Sequence, residues 1–170
     1  LLDLSPSIDF GSQRRKRELS ESFVAVMASV VLRHGNRVGA VLYANALDTV
    51  LQPRSGRNHV LHLMQRMRER PSAAAAGTTR LADLIERARP SIKRRSAVFV
   101  VSDFISESGW EASMARLAQK HDVVAVRLYD PLEMSMPDLG LVTLQDSETG
   151  EQVFVDTGQR SFRERFAEAA

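Results

Sequence analysis

The stretch "SAVFVVSDF", residues 96–104, sets the tightest limit on what this chain can fold into. Its apolar residues lack the alternation of a half-solvated strand, so both faces of the strand have to be covered. Parallel sheets flanked by helices meet that condition. "HDVVAVRLYD" at 121–130 repeats the pattern, a buried strand that ends in an aspartate. "LLD" at the start reads as the tail of a third such strand, since strands usually run for about five residues. The chain is therefore expected to be a fragment of a longer protein, beginning inside its first strand.

Between these strands the period changes. From Ser12 to Arg33, Leu19, Phe23, Val26, Met27, Val30 and Val31 recur in steps that place them on one helical face, and Gly35 is the candidate C-cap. "RVGAVLY" (37–43) and "LDTVLQP" (47–53), joined through "ANA", predict an antiparallel hairpin. A second helix is expected over 57–69, a loop over 71–79, and a third helix in "RLADLIERAR", stopped by Pro90. A fourth fits 110–120. A second hairpin turns around "SETG", and a last helix fits "SFRERFAEAA". This order predicts an α/β fold: a doubly wound, mostly parallel, Rossmann-like sheet with helices on both faces and an antiparallel edge hairpin. At 170 residues a single domain over 1–170 is the simplest division.

Composition narrows the function classes. Without Cys there are no disulfides and no thiolate metal sites. Arg supplies 20 of the 23 basic residues, yet the net charge is only +2, a weak footing for nucleic acid, and none is expected as a partner. No apolar run approaches the ~20 residues of a membrane span. A cytoplasmic location is expected, with any membrane attachment supplied by sequence ahead of residue 1.

In open α/β sheets, ligands sit beyond the carboxyl ends of the strands. Asp3 and Asp103 end two strands there. Ser5 and Ser7 lie on the loop leaving the first, and Thr78 and Thr79 on the loop entering the third helix. All of these offer oxygen, which suits Mg²⁺, Mn²⁺ or Ca²⁺. Alone, Asp-x-Ser-x-Ser is more often a turn or helix cap, because both residue types bond nearby backbone N–H groups. The conjunction with Gly-Thr-Thr and a strand ending in Ser-Asp is more specific. Elsewhere the plain readings prevail: His59 and His62 lack a third metal ligand, "RRKR" (14–17) is a solvated face, and Trp110 is packing. Asp130, Pro131 and Glu133 make a strand-end turn. A rival reading is Mg²⁺-dependent phosphoryl transfer, with Asp3 as nucleophile and Lys16, Lys93 or Lys120 as clamp, although no Gly-rich phosphate cradle is present.

"DLSPS", "AGTTRL" and "VFVVSDF" resemble the metal-ion-dependent adhesion site of von Willebrand factor A domains. That resemblance implies a divalent ion held by Asp3, Ser5, Ser7, a Thr and Asp103. Aligning on Leu81 selects Thr79; aligning on Gly77 alone selects Thr78. Phe104 stands where many members carry Gly. "SPSIDFGS", "NRVGAVLYA", "VSDF", "HDVVAVRLYDPLE", "MPDLG" and "D-x-ETGE" further resemble the bacterial domain-of-unknown-function 58 proteins, companions of MoxR-type AAA+ ATPases. The resemblance implies a non-enzymatic protein-binding module, adaptor or partner of such an ATPase or its client, in which the partner's carboxylate completes the shell of Mg²⁺ (or Mn²⁺ or Ca²⁺).

Overall fold

The computed structural model describes residues 1–44, 46–69, 80–146 and 150–169. A five-stranded sheet has the order β3-β2-β1-β4-β5, with β1 (Leu2–Asp3), β2 (Val38–Ala44), β3 (Ala46–Arg54), β4 (Ala97–Ser102) and β5 (Asp122–Arg127). β1 lies at the centre, parallel to β2 and β4, and β4 is parallel to β5. Only β2 and β3 pair antiparallel, forming the expected edge hairpin. The doubly wound α/β architecture is the one that the strand pattern predicts.

The unbroken apolarity of the central strands is divided between two cores. Leu2, Leu4, Ala40, Leu42 and Val101 face one side, where Val24 of α1 (Lys16–Arg33) and Leu63 and Met67 of α2 (Arg57–Arg68) cover them. Val41, Tyr43, Val98 and Val100 face the other. There they meet Leu81, Leu84 and Ile85 of α3 (Leu81–Ala88) and Leu117 of α4 (Trp110–Ala118). Successive strand residues point to opposite faces, so a strand covered by helices on both sides has no position free for a polar residue until its end. Full burial of each large apolar side chain contributes about 1.5–3 kcal/mol. Two-sided burial therefore fixes the carboxyl ends of β1 and β4 side by side.

Two local departures from the sequence pattern matter for the site. α1 begins at Lys16 rather than Ser12. Residues 11–15 fold back instead, and the return is so tight that a Cβ on Gly11 would lie 2.0 Å from Arg14 O. Ser12 leaves the helix because its N–H (2.7 Å) and hydroxyl (2.9 Å) are engaged by the Asp130 carboxylate. Beyond β5, Asp130–Glu133 is more than a turn. It caps a short helix, α5 (Pro131–Met134): Asp130 Oδ1 accepts from Leu132 N–H at 2.9 Å, and Glu133 Oε2 accepts from Asp130 N–H at 3.0 Å. A 3-10 turn, Pro6–Asp9, also occupies the loop after β1. The loop expected at 71–79 lies outside the described residues.

The second predicted hairpin forms a separate antiparallel pair, β6 (Leu141–Gln145) and β7 (Gln152–Asp156), followed by α6 (Arg160–Ala169). Thr157 is buried at its base, donating through Oγ1 to Gly140 O at 2.8 Å and accepting from Leu139 N–H at 2.9 Å.

Candidate functional site

The carboxyl edge of β1 and β4 gathers Asp3, Ser5, Ser7 and Asp103, four of the five ligands expected from the sequence. Thr79, and its alternative Thr78, lie outside the described residues. Asp3, Ser5 and Asp103 are buried. Asp3 Oδ1 accepts from Ser5 N–H at 2.9 Å, and Oδ2 from the Ser102 hydroxyl at 2.7 Å. Ser5 Oγ and Ser7 Oγ are 2.9 Å apart. Phe104 adopts a φ of +62°, which turns the chain back immediately after β4. As a result Phe104 N–H reaches Ser102 Oγ (3.0 Å) and Ile105 N–H reaches Asp103 Oδ1 (3.1 Å). On the far side of the site, α3 is tied to this loop through Leu81 N–H and Ser106 Oγ at 2.9 Å.

Burial is the main reason that the Asp3 carboxyl is pushed above its ordinary range. Hydrogen bonds from Ser102 and Ser5 oppose the rise, and the Asp103 charge adds to it. A buried carboxylate of this kind is relieved by a cation.

One cation is already built in. Lys16 is fully buried, and its Nζ lies 2.8 Å from Asp103 Oδ2 and 2.6 Å from Glu133 Oε1. This corrects the reading of "RRKR" as a solvated face for Lys16 and in part for Arg17, while Arg14 and Arg15 are exposed. The expectation fails because the fold-back at residues 11–15 turns the first side chain of α1 inward. Arg17 of the same run pairs with Asp9 at 2.6 Å and donates to Met67 O at 3.2 Å. The acidic complement to this basic helix start is thus within the chain. No neighbouring residue gives Lys16 away, but two other signals were present. It is a lysine in a run that otherwise uses arginine, and Asp130-x-x-Glu133 with Pro at the first helical position is a capping-box pattern. Ser102, the last residue of β4, steadies Asp3; the sequence shows it only as part of a strand ending in Ser-Asp, with no sign of that role.

Of the remaining candidates, His59 is engaged through Nε2 with Val38 O at 2.8 Å. Trp110 packs edge-on against Phe104, with ring centroids 5.1 Å apart. Lys93 and Lys120 precede β4 and β5, at the opposite edge of the sheet.

Among the described residues, no three His, Cys, Asp or Glu side chains come together as a metal cluster. An ion held here must therefore draw on hydroxyls, and the donor set fits that demand. Adjacent ligands of an octahedral ion with bonds of 2.0–2.1 Å lie about 2.8–3.0 Å apart. The Ser5–Ser7 oxygen spacing of 2.9 Å, which their hydrogen bond also satisfies, matches it. Asp3, Asp103, Asp130 and Glu133 against Lys16 leave an excess of three negative charges when all are ionised.

Residues 1–170 match the family described as "Protein of unknown function DUF58". Uncharacterized proteins of Mycobacterium bovis and Mycobacterium tuberculosis are 32% identical over 173 residues, covering 100% of this chain and 54% of their own length. The chain thus spans about half the length of these relatives. An uncharacterized protein of Mycobacterium avium is 32% identical over 124 residues, 72% of each sequence. Two crystal structures share the fold. An aerotolerance-related membrane protein from Bacteroides fragilis, carrying multiple mutations to serines, superposes with a TM-score of 0.66 at 15% identity, over 98% of this chain and 83% of that one. The conserved hypothetical protein BatB from Bacteroides thetaiotaomicron gives 0.61 at 16% identity, over 98% and 82%.

Proposed function

The chain belongs to the DUF58 family, and from that premise we propose that it is a metal-ion-dependent protein-binding module rather than an enzyme. The observation that carries the reading is the meeting of Asp3, Ser5, Ser7 and Asp103 at one sheet edge, with more buried negative charge than Lys16 offsets. Ser5, Ser7 and Thr79 would hold Mg²⁺, or Mn²⁺ or Ca²⁺, through neutral hydroxyls, with Asp3 and Asp103 supplying the charge. An ion held mainly by hydroxyls keeps residual positive charge, and a partner's Asp or Glu completes its shell. The resemblance to companions of MoxR-type AAA+ ATPases supports a role as adaptor between such an ATPase and its clients. No helix among the described residues is long and apolar enough to cross a membrane. The aerotolerance-related protein of the same fold is a membrane protein, and we place the present module at the cytoplasmic face, attached through sequence outside residues 1–170.

In the full-length protein, Mg²⁺ is expected to raise the melting temperature relative to EDTA, since a ligand at a hundredfold excess over Kd stabilises by about 2.7 kcal/mol. Asp3→Ala should abolish that shift, together with Mg²⁺-dependent capture of a partner. Identical midpoints in Mg²⁺ and EDTA, with no heat on titration, would sink the reading. Lys16 does reach the site edge, as the phosphoryl-transfer rival needs, but it is sealed between two carboxylates and is not offered to a phosphoryl group. Turnover of nitrophenyl phosphate or ATP that vanishes in Asp3→Asn would favour that rival.

A further inference from the structure

We propose that Lys16 is the residue that sets the cation affinity of this site, acting as a fixed internal competitor for the charge of Asp103. The inference rests on the cation-binding reading above and deepens it.

The ammonium is enclosed. The side chains of Lys16 and Asp103 are each only 1% exposed, so the pair meets little water and its charges are poorly screened. Glu133 holds the other side of the ammonium, and its second oxygen is tied to Asp130 N–H. Asp130 is in turn tied to Ser12, four residues before Lys16. The ammonium is thus pinned from both sides and cannot swing away when an ion arrives. An incoming cation meets an Asp103 whose Oδ2 already faces one positive charge and whose Oδ1 already accepts Ile105 N–H.

Among the described residues Asp3 has no such counter-ion. Its partners are the neutral Ser5 N–H and Ser102 hydroxyl. The two aspartates of the site are therefore unequal: Asp3 supplies the attraction, and Asp103 is largely offset before the ion binds. The consequence is a weak, exchangeable ion that retains charge toward an incoming carboxylate.

The test is Mn²⁺ titration, by calorimetry and by the electron paramagnetic resonance of free Mn²⁺. It uses full-length wild type, Lys16→Met, Glu133→Gln and the double variant, with circular dichroism to confirm folding. Removing the competitor should tighten Mn²⁺ by about tenfold or more, because a unit charge a few ångströms from an ion in a poorly screened site is worth at least that factor. The double variant restores the charge balance and should return toward wild type. If Lys16 is only a strut, Lys16→Met leaves Asp103 misplaced and binds Mn²⁺ more weakly or equally. If wild type binds and Lys16→Met binds no tighter, the inference falls and the cation-binding reading stands. If only Lys16→Met binds, the inference stands and that reading falls for the natural chain. If neither binds, both fall. Should Lys16→Met fail to fold, Lys16→Gln, which keeps a hydrogen-bond donor without the charge, takes its place: Mn²⁺ should again bind about tenfold or more tightly, and unchanged or weaker affinity overturns the proposal.

Discussion

Phe104 occupies a backbone conformation that suits glycine, yet its ring packs on Trp110. Two effects compete at this residue. A non-glycine side chain at positive φ costs about 1 kcal/mol, while deleting a fully buried aromatic ring costs about 3–5 kcal/mol and the half-buried Phe104 ring correspondingly less. The ring prevails, so both Phe104→Ala and Phe104→Gly are expected to destabilise. The glycine variant should nevertheless be the more stable of the two by about 1 kcal/mol, because only it is free of the backbone penalty. Urea unfolding midpoints of the two variants measure the difference directly. At this scale the sequence was informative where a side chain acts on its own neighbours. Asp3, Ser5, Ser7 and Asp103 were legible because a strand end and a short spacing placed them. Lys16 was not, because its partners lie 87 and 117 positions away and nothing nearby in the chain encodes them.

Among the elements, α3 and α4 are joined by an ion-pair group on their exposed side. Arg116 donates to Glu86 Oε1 at 2.6 Å, and Arg89 donates to Glu86 Oε2 at 2.7 Å. The hydrogen bonds from Arg116, then Arg89, hold the Glu86 carboxyl at about 2, below its ordinary 4.5. A carboxyl lowered in the folded state contributes stability that is present above 4.5 and lost as the pH falls through about 2. Glu86→Gln should therefore lower stability at neutral pH, flatten the acid limb over that window and converge with wild type as the pH falls toward 2. The effect should shrink in high salt, since the group is partly exposed. Urea midpoints between pH 2 and 6 test it. Element order and type were largely readable from period, because two-sided burial leaves an apolar run in β4; β5 carries the same run at the sheet edge with no buried residue, so the expectation of a buried strand fails there. The start of α1 was not readable. Helical periodicity extends back to Ser12, but Asp130 claims Ser12 through a tertiary contact that overrides it. α5 was hidden for a different reason: at four residues it is shorter than any periodicity can reveal.

Across the whole molecule, stability is expected to be uneven. The five-stranded sheet has cores on both faces, whereas β6 and β7 leave Leu141 (83% exposed) and Phe154 (81% exposed) in solvent. No described side chain of α6 is buried. Segments with little buried apolar surface open at lower free energy than the global transition. Amide exchange in β6, β7 and α6 should accordingly outpace that of β2 and β4 by several orders of magnitude. Equal protection across the two sheets would show that the hairpin shares the global cooperative unit.

The span of the Lys16 bridge has a consequence for the order of synthesis. Asp103 leaves the ribosome 30 residues before Glu133, an interval of roughly 2–6 s at translation rates of 5–20 residues per second. Throughout that interval the first turn of α1 has one carboxylate for a lysine that the finished fold surrounds with two. The carboxylate edge therefore closes only after Glu133 has emerged, and a nascent chain halted between these residues should lack the lysine's second carboxylate, however complete its central strands.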